Sequence, residues 1–206
     1  MGKLKPQNKV IPFWKKLGFD SEQEYQVNEW LLELKEKGLV GEINYQPSSI
    51  RLNEELIVSI PNGLKKPKKL SILKKHDYTM DFEITCSELL YDAVKGTHSR
   101  LFRSDDNKVR LEVKPDSTAL KLVDSHGSTR LFTSRTQPWV YEKFGIFVNL
   151  CTPNILFSNT FVPKSLVDNF YYKKAIAKKG KLIRKGDSKV TWEIRTVEQF
   201  INNLNL

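Results

Sequence analysis

Two runs of this chain, Tyr78–Ile84 and Val109–Lys114, alternate apolar with polar residues at the period of two that marks a half-buried strand. In the second run Val109, Leu111 and Val113 share one face, so Glu112 and Lys114 emerge together on the other. In the first, Met80, Phe82 and Ile84 are expected to face the core while Asp81 points away from it. A helical period governs the segment before them. Val27, Trp30, Leu31 and Leu34 recur at helix spacing, Ser21 is placed as an N-cap, and Gly38 marks the end. Advanced around that helix, Glu22, Glu29, Glu33 and Glu36 fall opposite the apolar stripe, whereas Glu24 sits on its border near the helix start. Two readings of Glu24 compete. In Ser21-x-x-Glu24 it completes a capping box, or it reaches into a site beside the sheet.

The remaining pattern fills in the architecture. Glu42–Pro47 and Ser49–Leu52 read as a first strand broken at Pro47, Leu56–Ile60 as a second, and Pro61-Asn62-Gly63 as a turn. The stretch between the two opening runs is too long for a tight hairpin loop. Ser128–Phe144 is helix-like, restarting at Pro138 and closing at Gly145, and Gly145–Leu150 reads as a buried strand. Val190–Arg195 reads as a strand and Val197–Ile201 as a short helix. These elements predict an α/β fold with a mixed central β-sheet flanked by helices. A basic N-terminal arm is expected over 1–18, the core over 19–152, and a small basic C-terminal extension over 153–206.

Composition points to a partner. The 206 residues carry a formal net charge of +10, with an isoelectric point near 9.5, and the excess is clustered. Such clustering favours a polyanion, nucleic acid first. Lys65, Lys66, Lys68, Lys69, Lys74 and Lys75 form one group, and Arg130 and Arg135 flank the second helical stretch with Gln137 and Lys143. Lys178, Lys179, Lys181, Arg184 and Lys185 follow Phe170, Tyr171 and Tyr172, a mixture of cations and rings suited to a nucleic-acid backbone and its bases. No apolar run approaches the roughly 20 residues of a membrane span, and the basic N-terminus lacks the apolar core of a signal peptide. Cys86 and Cys151 lack metal-ligand spacing and read as reduced thiols. A cytoplasmic location is expected, the host's cytoplasm if the chain is phage-encoded, with no membrane partner.

Asp81, Glu112 and Lys114 on one sheet surface make a compact site for a metal ion and a phosphodiester. Asp81 and Glu112 would supply hard oxygens with the Val113 carbonyl as a third ligand, and Lys114 would orient water or offset developing charge. Mg²⁺ suits such a set and Mn²⁺ should substitute; zinc is disfavoured without a His/Cys cluster. Phe19-Asp20-Ser21-x-x-Glu24, Tyr78-Thr79-Met80-Asp81-Phe82 and Leu111-Glu112-Val113-Lys114, in this order, resemble the PD-(D/E)xK nuclease superfamily. Within it, Gln46-Pro47 after the first helix and Lys114-Pro115 resemble phage endonuclease I-type resolvases and transposase nuclease subunits. Met80 stands where a proline is usual, and Pro115 where a glycine is common. The resemblance spans about Phe19 to Leu150 and implies a restriction-endonuclease-like core. It further implies Mg²⁺ held by Asp81, Glu112 and Glu24, with Lys114 as the catalytic lysine. The expected activity is a Mg²⁺-dependent DNA endonuclease, a structure-specific nuclease or Holliday junction resolvase acting on branched DNA as a homodimer. A transposase-like end-cutting subunit and a non-catalytic nucleic-acid-binding protein are the alternatives.

Overall fold

A computed structural model describes residues 11–61, 67–95, 101–104, 106–114, 132–168, 172–177, 181–184, 191–193 and 195–204. A short helix α1 (Phe13–Lys16) precedes α2 (Glu22–Glu36). Strands β1 (Val40–Tyr45), β2 (Ile50–Asn53), β3 (Leu56–Ile60), β4 (Lys68–Leu73), β5 (His76–Tyr78) and β6 (Phe82–Cys86) follow. Helix α3 (Glu88–Lys95) leads to β7 (Lys108–Val113), a π-helical turn (Phe132–Thr136), α4 (Gln137–Phe144) and β8 (Val148–Cys151). The chain continues through α5 (Pro153–Asn159), α6 (Lys164–Asp168), β9 (Tyr172–Ala177), β10 (Lys181–Arg184), β11 (Thr191–Glu193) and α7 (Val197–Asn202). The fold is mixed α/β, and no helix among the described residues is long and apolar enough to cross a membrane.

The central sheet has the order β1-β6-β7-β8, antiparallel at the first two pairings and parallel at the last. Strand β7 is buried on both faces. Val109, Leu111 and Val113 join Trp30, Leu31 and Leu34 of α2 in the main core, while Arg110 and Glu112 lie under the opposite layer. That layer gathers Leu52, Tyr78, Met80, Phe132, Val140 and Val148. Helix α2 stops where Gly38 takes φ +72°, a left-handed conformation that favours glycine, and Leu39 N–H then donates to the Leu34 carbonyl. At Gly41, in the irregular part of β1, a Cβ would lie 2.5 Å from Thr85 Oγ1, so glycine permits the close approach to β6.

Strands β1 to β6 form one long antiparallel hairpin in three pieces: β1 pairs with β6, β2 with β5, and β3 with β4. The expected strand over Tyr78–Ile84 is therefore two strands. Thr79-Met80-Asp81 is a break, and Gln46 opposite it takes φ +46° while its N–H donates to the Asp81 carbonyl at 2.8 Å. Alternation runs through the break because the hairpin changes layers there. Met80 goes to the second apolar layer, Phe82 and Ile84 to the first.

Several other expectations shift. The lysine-rich stretch includes strand β4. Residues after 153, expected as an extension, place Leu156, Phe157, Phe161, Val162, Leu166, Val197 and Phe200 in the same core as α2. Trp30 Nε1–H donates to Thr160 Oγ1 at 3.0 Å, and the Trp30 ring stacks on Phe161. The break before α4 is a π-helical turn, after which Pro138 starts the helix and Gly145, at φ +65°, caps it. Residues 1–10 of the basic arm, the turn at 62–66 and Pro115 lie outside the described residues.

Candidate active site

The site assembles where β6 begins and β7 ends. Antiparallel register pairs Phe82 with Leu111, which sets Asp81 opposite Glu112, and Asp81 N–H donates to the Leu111 carbonyl at 3.1 Å. Cross-strand partners share a face, so both carboxylates rise from one side of the sheet. Asp81 Oδ2 accepts from Val113 N–H at 2.6 Å. The Val113 carbonyl leaves the strand on the edge that its N–H uses, toward Asp81. Lys114 follows β7, its N–H held by the Cys151 carbonyl of β8 at 2.9 Å. From there its Nζ reaches Glu112 Oε1 at 2.5 Å and lies 5.9 Å from the centre of the Phe132 ring.

Glu112 is 6% exposed, and its second oxygen accepts a hydrogen bond from the Tyr78 hydroxyl at 2.7 Å. Burial and the Glu112 charge hold the Tyr78 phenol well above its ordinary pKa, so it remains a donor. Glu24, on the first turn of α2, is 7% exposed. Its Oε1 accepts from the Ser21 hydroxyl at 2.7 Å, and its Oε2 accepts from the Tyr45 hydroxyl at 2.5 Å and from Asp20 N–H at 3.3 Å. Ser21 caps the helix by accepting Glu24 N–H at 3.2 Å. The reciprocal half of a capping box, Glu24 to the Ser21 N–H, is not what the carboxylate does. Gln46 Nε2–H extends the network to Tyr45 and to Asp20.

Asp81 carries the electrostatic signature of this cluster. Burial pushes its pKa up, the Glu112 and Glu24 charges push further, and the Val113 N–H and Lys114 pull down, leaving it at about 7. Both carboxylates are thus close enough to be felt at Asp81. Accumulated negative charge on hard oxygens is the environment a divalent cation neutralises. In the present rotamers each carboxylate is turned to a protein donor, and among the described residues no three His, Cys, Asp or Glu gather closely enough to hold a metal ion. Carboxylate oxygens are the hard donor type that Mg²⁺ and Mn²⁺ take.

Tyr45 and Tyr78, which position the two glutamates, carried no signal in the sequence beyond being tyrosines on strands. Of the candidate phosphate contacts, Lys68, Lys69, Lys74 and Lys75 are exposed on and beside β4, with Lys75 3.3 Å from Asp77. Arg135 is exposed on the π-helical turn. Gln137 and Lys143 donate instead to the Val148 and Leu52 carbonyls, which ties them to the fold. Lys181 and Arg184 sit at the two ends of β10. Lys65, Lys66, Arg130, Lys178, Lys179 and Lys185 lie outside the described residues.

Comparison with protein-family models, with curated proteins and with solved structures finds no match to this chain.

Proposed function

We propose that this chain is a metal-dependent endodeoxyribonuclease with a restriction-endonuclease-like core, acting on branched DNA. One observation carries the reading. Asp81, Glu112 and Lys114 meet at one end of the β6–β7 pair, with Glu24 near enough for its charge to raise the Asp81 pKa. The reading takes a helix glutamate, an aspartate just before β6 and the Glu-x-Lys of β7 as parts of one site.

Asp81, Glu112, Glu24 and the Val113 carbonyl would hold Mg²⁺, or Mn²⁺ in its place. A bound divalent cation would lower the pKa of water and neutralise charge on the scissile phosphate. The chain's own groups do the rest. Tyr78 fixes the plane of Glu112, Tyr45 that of Glu24, and the Lys114 ammonium stands 2.5 Å from Glu112, placed to hold water or the phosphate. Basic clusters then supply the salt-dependent part of DNA binding.

Incubating the protein with linear, flapped and four-way DNA in Mg²⁺ or in EDTA tests this. Cutting of branched DNA that requires metal and is lost in Asp81→Ala and Glu112→Ala is expected. Absence of cutting on every substrate, with unchanged DNA binding in those variants, would sink it. One observation favours a non-catalytic nucleic-acid-binding protein instead: every carboxylate of the site already has a protein donor. Mn²⁺ titration by calorimetry separates the two, since that alternative gives no binding that Asp81→Ala removes. A transposase-like subunit would cut only with a partner protein added.

A further inference from the structure

A cleft of about 520 Å³ is lined by Gln137, Pro138 and Tyr141 of α4 and by Phe102, Arg103 and Ser104. Its size falls within the roughly 300–1,000 Å³ of small-ligand sites. Arg103 bridges Val109 near the start of β7, and Glu112 lies three residues, about 10 Å, further along that strand. Phe147 joins the two sides, its ring 4.5 Å from that of Phe102 and edge-on to that of Tyr141 at 6.3 Å. Phe102 and Tyr141 are nonetheless 44% and 57% exposed. Phe102 is also held. Asn149 of β8, 2% exposed, accepts Phe102 N–H on Oδ1 at 2.6 Å and donates from Nδ2 to the Phe102 carbonyl at 2.9 Å. A buried amide thus fixes the backbone that presents an exposed ring, which is how a binding surface is organised in advance of its ligand.

We infer that this cleft takes one unpaired nucleobase of a DNA strand, an inference that rests on the DNA-binding reading above. The face and the edge of a base find different partners there. Its face meets the Phe102 and Tyr141 rings, and stacking on such rings tolerates every base. Its edge carries donors and acceptors, which the Ser104 hydroxyl and the Gln137 amide can answer. Ser104 Oγ makes no hydrogen bond among the described residues, and Gln137 Oε1 is left as an acceptor once its Nε2–H goes to the Val148 carbonyl at 2.6 Å. Among the described residues no carboxylate lines the cleft, and its one charged group is Arg103, held by Glu88. In a chain of net charge +10, these features select the base of a polyanion. An apolar peptide would cover the rings and leave the polar groups unanswered. A duplex keeps its bases stacked on one another, whereas a single strand or a branch point gives one up at little cost.

Fluorescence anisotropy of the full chain in EDTA reads the cleft without any cleavage. The probes are a labelled single strand of DNA, an abasic strand of the same length and the matching duplex. Phe102→Ala and Tyr141→Ala should each weaken single-strand binding about tenfold. Binding of the abasic strand and of the duplex should stay within about twofold of wild type, and thermal unfolding of the core should be unchanged. Phe102→Trp keeps a stacking ring and should hold the wild-type affinity. Should Phe102→Ala misfold, Tyr141→Ala at an exposed helix position gives the same reading. Equal losses on all three probes, or no loss on the single strand, overturn the inference. Mg²⁺-dependent cutting that still requires Asp81 would then leave the nuclease reading standing. A wild type that binds DNA in none of these forms overturns both.

Discussion

Asp81→Asn should stabilise the metal-free protein, by an amount that depends on pH. The Asp81 pKa stands at about 7 in the folded chain against an ordinary 3.8, through burial first and then the Glu112 and Glu24 charges. Between those values the folded state keeps a proton that the unfolded state has released. The folded state binds more protons there, so stability falls as pH rises through the window, and the full cost is present above it. Below the lower value both states are protonated and the cost is gone. A shift of this size corresponds to at most about 4 kcal/mol, and rotation of the side chain toward solvent reduces that to about 2 kcal/mol.

Asparagine keeps an oxygen for the Val113 N–H and removes the charge. In EDTA at pH 8, Asp81→Asn should therefore melt roughly 4–8 °C above wild type, a gain that fades toward pH 4. Thermal unfolding followed by near-ultraviolet circular dichroism across that pH series is the measurement. Mg²⁺ should then raise the wild type alone, by about 2.7 kcal/mol at a hundred times its dissociation constant. Equal melting temperatures at pH 8, or a gain that does not vary with pH, would show that Asp81 is not held in a crowded negative site.

Lys114→Ala should lower single-turnover cleavage about a hundredfold or more, while fluorescence anisotropy shows DNA affinity nearly unchanged; cutting at the wild-type rate would remove its assigned role. Tyr78→Phe deletes the donor to Glu112 and should cost about 1 kcal/mol in urea unfolding. It should also raise the Mg²⁺ concentration needed for half-maximal cleavage, which a purely structural tyrosine would not do. Trp30→Phe removes the hydrogen bond to Thr160 and part of the core ring, and its urea midpoint should fall by the equivalent of about 2–4 kcal/mol.

What the residue pattern could disclose was local. Helix α2 follows from Ser21, the spacing of Val27, Trp30, Leu31 and Leu34, and Gly38, because capping and amphipathic burial act within a few residues. Strand β7 was legible for the same reason. The split between β5 and β6 was not, since alternation continues unbroken while the hairpin exchanges one layer for another at Thr79-Met80-Asp81. Nor was the attachment of Phe157, Phe161 and Phe200 to the core, which depends on Trp30 finding Thr160 across 130 positions of chain. Gln137 and Lys143 looked free for phosphate because their carbonyl partners, Val148 and Leu52, are chosen by packing.

Glu24 shows how a local and a non-local role can share one side chain. Its position invites a choice between capping and the site, as if the carboxylate had one place to go. The capping is done by the Ser21 oxygen on Glu24's own N–H, which leaves both carboxylate oxygens for other donors. Ser21 takes one, and Tyr45, delivered from the end of β1, takes the other. The start of α2 adds the positive end of a 15-residue helix, which favours an anion at that position. The carboxylate is thus fixed by the helix start that it was expected to serve, and from there its charge reaches Asp81 on a different element. Capping and the influence on Asp81 are one arrangement: the cap sets where Glu24 stands, and Tyr45 of the sheet holds its second oxygen.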